Sequence, residues 1–503
     1  MAVSCLSLNE APRGWYPKEN KNLTRTNAGH GAITKKIVHD GGFCSRKIMT
    51  AGDKAINVTE LIDGVKFTRL QFTVVALCAL VGLLDGADTQ SIGVAAPFIA
   101  NALGHKVSGF GPVFAAAQLG ATIGALTFGP LADRVGRKPM LIVAIMTFAA
   151  FTLATTIVTS VHALVVVRFF AGLGLGGATP CFLTLTSDYS PRKQRGMIAT
   201  IIWSAYPLGA ALGSFMNAYI LSHFGWQAIF YIGGGLPLAV AVALVMFLPE
   251  SVQYLAARGS EPSRIRKILR RMGHVVDDKQ VAFVVEGKKL PGVPIKHLFN
   301  ERRGLPTILL WAVFFLAFAT TNVMTMWTPT LLRANGLAPA ATAIVLAFFN
   351  IGAFLGMAAA GRLVDKFGPT AMLVPAFLAA ALSIAALGGA TSVGFASAFG
   401  ALLGVTIGIG GAGAIAIASL VYPTAIRSTA IGWGMGSARF GQFVSPLIIG
   451  GLLTAGFATG QILIAAAFFP VLGAIFVALL WLQGRRSRDR ATGGAVGATR
   501  GTH

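Results

Sequence analysis

The sequence predicts an all-α membrane protein with twelve transmembrane helices, arranged in two six-helix halves, and with both termini in the cytoplasm. Three observations predict this class. The 503-residue chain is 54% hydrophobic and only 12% charged, which is too little charge for the surface of a soluble protein. Apolar segments of roughly 20 residues, the length that crosses a bilayer, recur along the chain. Basic residues crowd alternate connections between these segments, so the net charge of +23 indicates membrane topology rather than a nucleic-acid-binding face.

The spans follow one another with short connections, except at the middle of the chain. We place them near residues 70–97, 109–131, 139–159, 162–187, 197–221, 227–248, 305–331, 338–361, 370–390, 393–420, 429–454 and 459–482. With the amino terminus inside, the cytoplasmic connections carry Arg134, Arg137, Lys138, Arg192, Lys193, Arg195, Arg362, Lys366 and Arg427. The opposite connections hold only Lys106 and Arg333. The positive-inside rule therefore predicts cytoplasmic termini.

These boundaries divide the chain into five segments. They are a disordered cytoplasmic N-terminal tail, the N-terminal half, a basic cytoplasmic central loop, the C-terminal half and a cytoplasmic tail, at residues 1–57, 58–248, 249–304, 305–483 and 484–503. The first segment is polar and rich in Asn, Gly and Lys, a composition typical of disorder. We hypothesise that residues 1–48 are an over-long gene start.

The two halves also repeat each other. The segment 129–136 matches 361–368, and the segment 191–195 matches 423–427 at the same offset. Two independent matches at one offset predict a six-plus-six duplication, with a substrate site between the halves near the bilayer midplane. The buried charges are not repeated, which suggests that the first half carries the protonatable groups.

Two acidic residues, Asp85 and Asp88, lie deep in the first span. A carboxylate at bilayer depth costs roughly 2.5–3.5 kcal/mol on insertion scales, so such a group indicates function. The i, i+3 spacing directs both side chains from one helix face, and two like charges this close do not both stay ionised in a dry site. We therefore predict that Asp85 and Asp88 couple proton movement.

Two arginines, Arg168 and Arg439, are the predicted partners of negative charge, and both are assigned to substrate binding. Arg168 opens the fourth span and needs a counter-charge, which Asp85 or Asp88 can supply; the alternative is an arginine that snorkels to the outer surface. Arg439 lies in the eleventh span with no acid nearby in sequence, so it is predicted to bind an anionic substrate. The alternative for Arg439 is a structural contact with helix-end carbonyls or with an acid from another span. The aromatic residues predicted to contact a substrate ring, unless they are ordinary interface residues, are Trp203, Tyr206, Trp327 and Trp433.

The segment 129–138, Gly-Pro-Leu-Ala-Asp-Arg-Val-Gly-Arg-Lys, resembles the signature loop between helices two and three of the major facilitator superfamily. A tight turn at Gly136 would leave Asp133 available to pair across the interface between the halves. The resemblance implies a gating role, away from the substrate. The residues assigned to it are Gly129, Asp133, Arg134, Gly136, Arg137, Lys138, Asp188, Arg195, Asp365 and Arg427.

The motif Asp85-Gly86-Ala87-Asp88 narrows the resemblance. Together with the segment 422–429, Tyr-Pro-Thr-Ala-Ile-Arg-Ser-Thr, and with Arg439, it resembles the aromatic acid:proton symporters. This resemblance implies import of a hydroxybenzoate-like aromatic carboxylic acid with protons, by alternating access. It also implies a multi-pass, monomeric protein of the inner cell membrane, driven by the proton gradient with no cofactor, no metal and no nucleic-acid partner. Ala87 departs from the bulky aromatic residue common there.

Three other readings remain open. A sugar or polyol porter, or another organic-anion proton symporter, is the nearest, because the segment 249–255 resembles the end of helix six in sugar porters. The seventh span nevertheless lacks the glutamines that bind sugar hydroxyls in that group. A membrane-embedded enzyme would need a nucleophile and base at depth, and the spans contain no such motif. The third reading is a transporter-like chemosensor.

Overall fold

The computed structural model describes residues 55–63, 67–273, 282–284, 298–299, 303–422 and 424–499. The hypothesis about residues 1–48 therefore lies outside the described residues. A short strand, β1 (Ala55–Asn57), and a short helix, α1 (Val58–Asp63), precede the first long helix. The six long helices of the first half are α2 (Arg69–Ala102), α3 (Gly111–Val135), α4 (Arg137–Ala154), α5 (Val161–Tyr189), α6 (Arg195–His223) and α7 (Trp226–Phe247).

The central segment contains two short helices, α8 (Val252–Ala257) and α9 (Pro262–Arg271), and the strand β2 (Ala282–Val284). The second half then repeats six long helices. They are α10 (Gly304–Ala334), α11 (Pro339–Phe367), α12 (Pro369–Gly388), α13 (Val393–Val421), α14 (Thr424–Thr454) and α15 (Thr459–Thr499).

Two features differ from the predicted segment boundaries. β1, at the end of the segment predicted to be disordered, pairs in parallel with β2 of the central segment, with Ile56 opposite Phe283. The strand is ordered because this partner satisfies its backbone hydrogen bonds. The last helix, α15, also continues to Thr499 and so extends through most of the predicted tail 484–503.

Eleven of the described helices are long and apolar enough to cross a bilayer. The long helix that does not meet this criterion is α14, because Arg439, Gln442 and Ser445 lower the hydropathy of its middle. α14 still packs inside the bundle, against α10 of its own half and α3 of the other half. The twelfth crossing therefore stays a prediction, and the polar middle of α14 marks a place where the bundle needs polar side chains.

In each half, glycines bring the same pair of helices into backbone contact: α3 with α5 in the first half, and α11 with α13 in the second. A Cβ added to Gly120 of α3 would lie 2.0 Å from the Phe169 carbonyl oxygen of α5, so only glycine fits there. In the second half, a Cβ on Gly404 of α13 would lie 1.8 Å from the Phe349 carbonyl oxygen of α11. Gly172 of α5, which sits against α3, is the first-half counterpart of Gly404 at the offset of the loop motifs. The predicted duplication thus extends from the loops to the packing.

The apolar core is divided unequally along the bundle. At the end that holds the α2–α3 connection, one cluster of buried side chains joins both halves, with Trp327 and Phe114 near its centre. At the opposite end, one cluster is built from the first half alone and another from the second half alone. As far as the described residues show, the halves are therefore closed against each other at one end and part at the other.

Candidate functional site

The two aspartates of α2 lie in different surroundings, although three residues separate them. Asp88 is buried, and its Oδ2 is 3.8 Å from Nη1 of Arg168 on α5. Arg168 is itself only 1% exposed; it donates a hydrogen bond to the Thr155 hydroxyl, and its guanidinium lies 5.0 Å from the ring centroid of Phe230. The predicted counter-charge of Arg168 is therefore Asp88, and this pair lies inside the first half.

The surroundings of this ion pair leave some polar atoms without partners. Among the described residues, Asp88 Oδ1, Arg168 Nε and the Thr152 hydroxyl have no hydrogen-bond partner. A Cβ on Gly233 of α7 would lie 3.7 Å from Thr152 and 3.8 Å from Asp88 Oδ1, so α7 covers this side of the pair closely. The pair is thus enclosed by α2, α4, α5 and α7.

Asp85, by contrast, faces the second half. It is half-buried and takes part in no ion pair within the described part of the chain. The charged groups that act on it are Arg439 of α14 and, more weakly, Asp88. Tyr206 of α6 interacts with the charges of Asp85 and Arg439 and with the Thr89 side chain. Electrostatic interactions of Asp85, Tyr206 and Arg439 link the two halves, and we call these three residues the central cluster.

Arg439 has a neutral partner. Its Nη1 donates to Oε1 of Gln442, one turn further along α14, at 3.3 Å. The Gln442 carbonyl oxygen accepts a hydrogen bond from the Asn322 side chain of α10 at 2.6 Å, and Asn322 Oδ1 accepts from Gln118 of α3 at 3.2 Å. Polar contacts therefore run from the central cluster across to the first half. Sequence reasoning missed Gln118 and Asn322; their signal was an uncharged amide inside an apolar span.

The four predicted aromatic residues do not all reach the central cluster. Tyr206 belongs to it. Trp327 is fully buried and packs edge-on against Phe114, with ring centroids 5.1 Å apart, so it belongs to the core that joins the halves. Trp433 is 49% exposed and Trp203 is 43% exposed, and a contact of either residue with substrate stays a prediction.

The turn between α3 and α4 has the predicted tight geometry. Gly136 has φ of +125°, a conformation that disfavours other residues. Glu250 Oε1 accepts hydrogen bonds from the backbone amides of Arg137 and Lys138, each at 3.1 Å, and so caps α4. Arg137 forms an ion pair with Asp188 of α5. Glu250 was not among the residues predicted to have a role.

Within the described part of the chain, Asp133 forms no pair across the interface between the halves, although its motif leaves it available for one. Its Oδ1 is 3.7 Å from Arg137 one turn along, and its side chain is 66% exposed. The reason is that the halves part at this end of the bundle. Asp188, in contrast, is buried and also accepts a hydrogen bond from the Ser251 hydroxyl at 2.5 Å.

The other residues assigned to gating lie around the same end. The Arg134 carbonyl accepts a hydrogen bond from the Tyr254 hydroxyl at 3.1 Å, and Lys138 Nζ donates to the Val245 carbonyl at 2.8 Å. A Cβ on Gly129 would meet Pro180 at 3.6 Å, and Arg195 donates to the Ser190 carbonyl at 3.4 Å. Asp365 is exposed near the end of α11, and Arg427 is half-buried in the first turn of α14.

This architecture defines a class of protein. Two duplicated helical halves, closed at one end and apart at the other, with a polar cluster between them, form the frame of a secondary transporter. Among the described residues no group of three or more His, Cys, Asp and Glu could hold a metal ion. The sequence model of the Major Facilitator Superfamily matches residues 78–387 and 309–501. The chain belongs to this superfamily, as its loop motif predicts, and it is a multi-pass membrane transporter rather than an enzyme.

Its relatives are similar over nearly their whole length. A gallate transporter of Pseudomonas putida is 33% identical over 88% of this chain and 97% of its own. A 4-hydroxybenzoate transporter of the same organism is 33% identical over 82% of this chain and 93% of its own. Among solved structures, a D-xylose-proton symporter superimposes with a TM-score of 0.65 over 82% of this chain and 97% of its own, at 17% identity. That last likeness shows the fold alone.

Proposed function

We propose that this chain imports a hydroxybenzoate-like aromatic carboxylic acid together with protons across the inner cell membrane. The observation that carries the proposal is the central cluster. An acid from one half and an arginine from the other act on each other there, and neither takes part in an ion pair among the described residues. The relatives named above carry gallate and 4-hydroxybenzoate, both aromatic carboxylates, and this supports the substrate class.

Arg439 would bind the substrate carboxylate. Its guanidinium stays protonated and presents a planar fork that fits a carboxylate with two parallel hydrogen bonds. Its present partner, the Gln442 amide, is neutral, so a carboxylate can replace it with a stronger, charge-assisted bond. Tyr206, which interacts with both Asp85 and Arg439, would contact the substrate from the first half.

Asp85 would take up the transported proton. While Asp85 is ionised, it competes with the substrate for Arg439, because both are anions. Once Asp85 is protonated, that competition ends and the positive charge of Arg439 is free for the carboxylate. Proton binding and substrate binding would therefore favour each other, which is the requirement for symport.

Alternating access would follow from the uneven distribution of the apolar core, which joins the halves at one end of the bundle and not at the other. If both termini are cytoplasmic, as the basic connections predict, the closed end with the α2–α3 connection faces outwards and the end where the halves part faces the cytoplasm. The described conformation would then be the one that releases substrate inside. Release of the proton and substrate into the cytoplasm would need no cofactor beyond the proton gradient.

Uptake by the purified chain in liposomes tests the proposal. Radiolabelled 4-hydroxybenzoate, gallate and benzoate are offered with and without an imposed inward proton gradient, and phenol and D-xylose serve as controls without a carboxylate. We expect accumulation of at least one acid that depends on the gradient and is lost when a proton ionophore is added. Accumulation of D-xylose, but of none of the acids, would favour the sugar porter instead.

A further inference from the structure

A cavity of about 470 Å³ opens at the end of the bundle where the halves part. It lies within the first half, where α3 ends at Val135 and the chain leaves α7 at Pro249, and α8 and α9 close its other sides. The side chains that give it a polar lining include Tyr254 and Ser260. This cavity is remote from the central cluster, which lies between the halves, and substrate transport leaves it unexplained.

The charge of the cavity is positive. Arg264 and Lys267 line it, and both are exposed and form no ion pair in the described part of the chain. The lining holds one acid, Glu250, against these two cations, and its Oε1 is directed to backbone amides of the first turn of α4 and of Ser251. The two cations are therefore available to an anion from outside.

α9 holds these cations in place. Ile265 and Leu269 on its inner face are buried in the apolar cluster of the first half, which fixes the rotation of the helix. The outer face is strongly basic, with Arg264, Lys267, Arg270 and Arg271 exposed. Of these four, Arg264 and Lys267 line the cavity, whereas Arg270 and Arg271 do not. The second pair therefore serves as a control with the same charge on the same helix.

The cavity borders the surface that lipid chains would cover. Val135 is the last residue of one candidate membrane span and Phe247 the last of another. Val135 is 54% exposed, Phe247 52% and Met246 69%, so apolar side chains project outwards directly beside the basic lining. A ligand that fits both surfaces has a negative headgroup and apolar chains.

We propose that this cavity binds the phosphate of an anionic phospholipid headgroup, with Arg264 and Lys267 as its ligands and with the acyl chains along the ends of α3 and α7. A bound headgroup would also stabilise the contact of α8 with the α3–α4 turn, where the Tyr254 hydroxyl donates to the Arg134 carbonyl. Soluble phosphate is also an anion but lacks the apolar part.

The test measures retained lipid. The full-length chain is reconstituted in nanodiscs of phosphatidylcholine with phosphatidylglycerol, extracted in detergent, washed, and assayed for phosphatidylglycerol by mass spectrometry. The double variant Arg264→Gln with Lys267→Gln is expected to retain about 25-fold less, from roughly 5-fold for each cation near anionic lipid. The control variant, Arg270→Gln with Arg271→Gln, removes the same charge outside the cavity and should retain the wild-type amount.

A second variant keeps both cations. Ser260→Trp fills the cavity without changing its charge, and it should also lose the lipid while eluting as wild type in size-exclusion chromatography. Equal loss in the Arg270 and Arg271 control would mean unspecific attraction and would overturn the site. Undiminished retention in both the cation variant and Ser260→Trp would overturn it too. Full displacement of the lipid by millimolar glycerol 3-phosphate would assign the site to a soluble phosphate and refute the lipid.

Discussion

The pair of Asp88 and Arg168 allows a quantitative prediction, because Asp88 is in an ion pair and Asp85, three residues away, is in none among the described residues. The side chains are 9% and 2% exposed, with 3.8 Å between Oδ2 and Nη1. At an effective dielectric constant of about 20, opposite charges at that distance attract by about 4 kcal/mol. Asp88→Asn removes the attraction and leaves Arg168 buried without a counter-charge, so we expect a loss of about 3–5 kcal/mol of stability.

The assay is equilibrium unfolding of the purified protein in mixed micelles, with thermal melting as a second measure. Asp85→Asn is the matched control, since it makes the same change in the same helix at a half-buried residue with no ion pair in the described chain. We expect its stability to stay within about 0.5 kcal/mol of wild type. Removing both charges, with Asp88→Asn and Arg168→Gln, should recover part of the loss.

Two results would contradict this reasoning. Wild-type stability of Asp88→Asn would mean that the ion pair contributes nothing to the fold. A double variant less stable than either single variant would mean that Asp88 and Arg168 act independently rather than as a pair. Arg168 keeps two other partners, the Thr155 hydroxyl and the Phe230 ring. They reduce the loss of stability in Asp88→Asn but do not replace the counter-charge of Arg168.

Three further predictions concern the central cluster and the α3–α4 turn. Asp85→Asn should abolish gradient-driven accumulation in liposomes while leaving exchange of labelled for unlabelled acid across the membrane; unchanged accumulation would remove Asp85 from proton coupling. Arg439→Lys keeps the charge but loses the bidentate fork, so we expect roughly tenfold weaker acid binding by calorimetry and an altered order of competing acids. An unaltered order and affinity would rule out the carboxylate contact. Asp188→Asn should slow maximal transport far more than Asp133→Asn, because the Asp188 side chain is buried against Arg137 and that of Asp133 is 66% exposed. Neither change should alter the order of acids, and comparable rates in the two variants would refute this ranking.

The sequence was sufficient where a pattern repeats. The length of the apolar segments predicted the long helices, and the loop motifs at one offset predicted the duplication. The helix packing at Gly120 and Gly404 shows the same duplication. The tight turn at Gly136 also follows from its motif, since glycine is the residue that tolerates φ of +125°. These features depend on residues close together in the chain.

The central cluster could be predicted only in part, because side-chain partners on different helices depend on helix rotation. The i, i+3 spacing placed Asp85 and Asp88 on one face, but the 60° between such positions is enough to turn one towards α14 and the other towards α5. The burial of Trp327 in the core, against Phe114, could not be read from its neighbours in sequence. Asn322 and Gln118 belong to no recognisable motif, and their part in the polar contacts between the halves is seen only from the hydrogen bond between them.

The glycine contacts have a mechanical consequence. Where Gly120 meets the Phe169 carbonyl, two backbones touch with no side chain between them that could rotate to absorb a displacement. Helices joined in this way cannot slide past one another without breaking contact along their length, so α3 and α5 must travel as one stiff unit, and so must α11 and α13. Any hinge in this protein has to lie outside these two helix pairs.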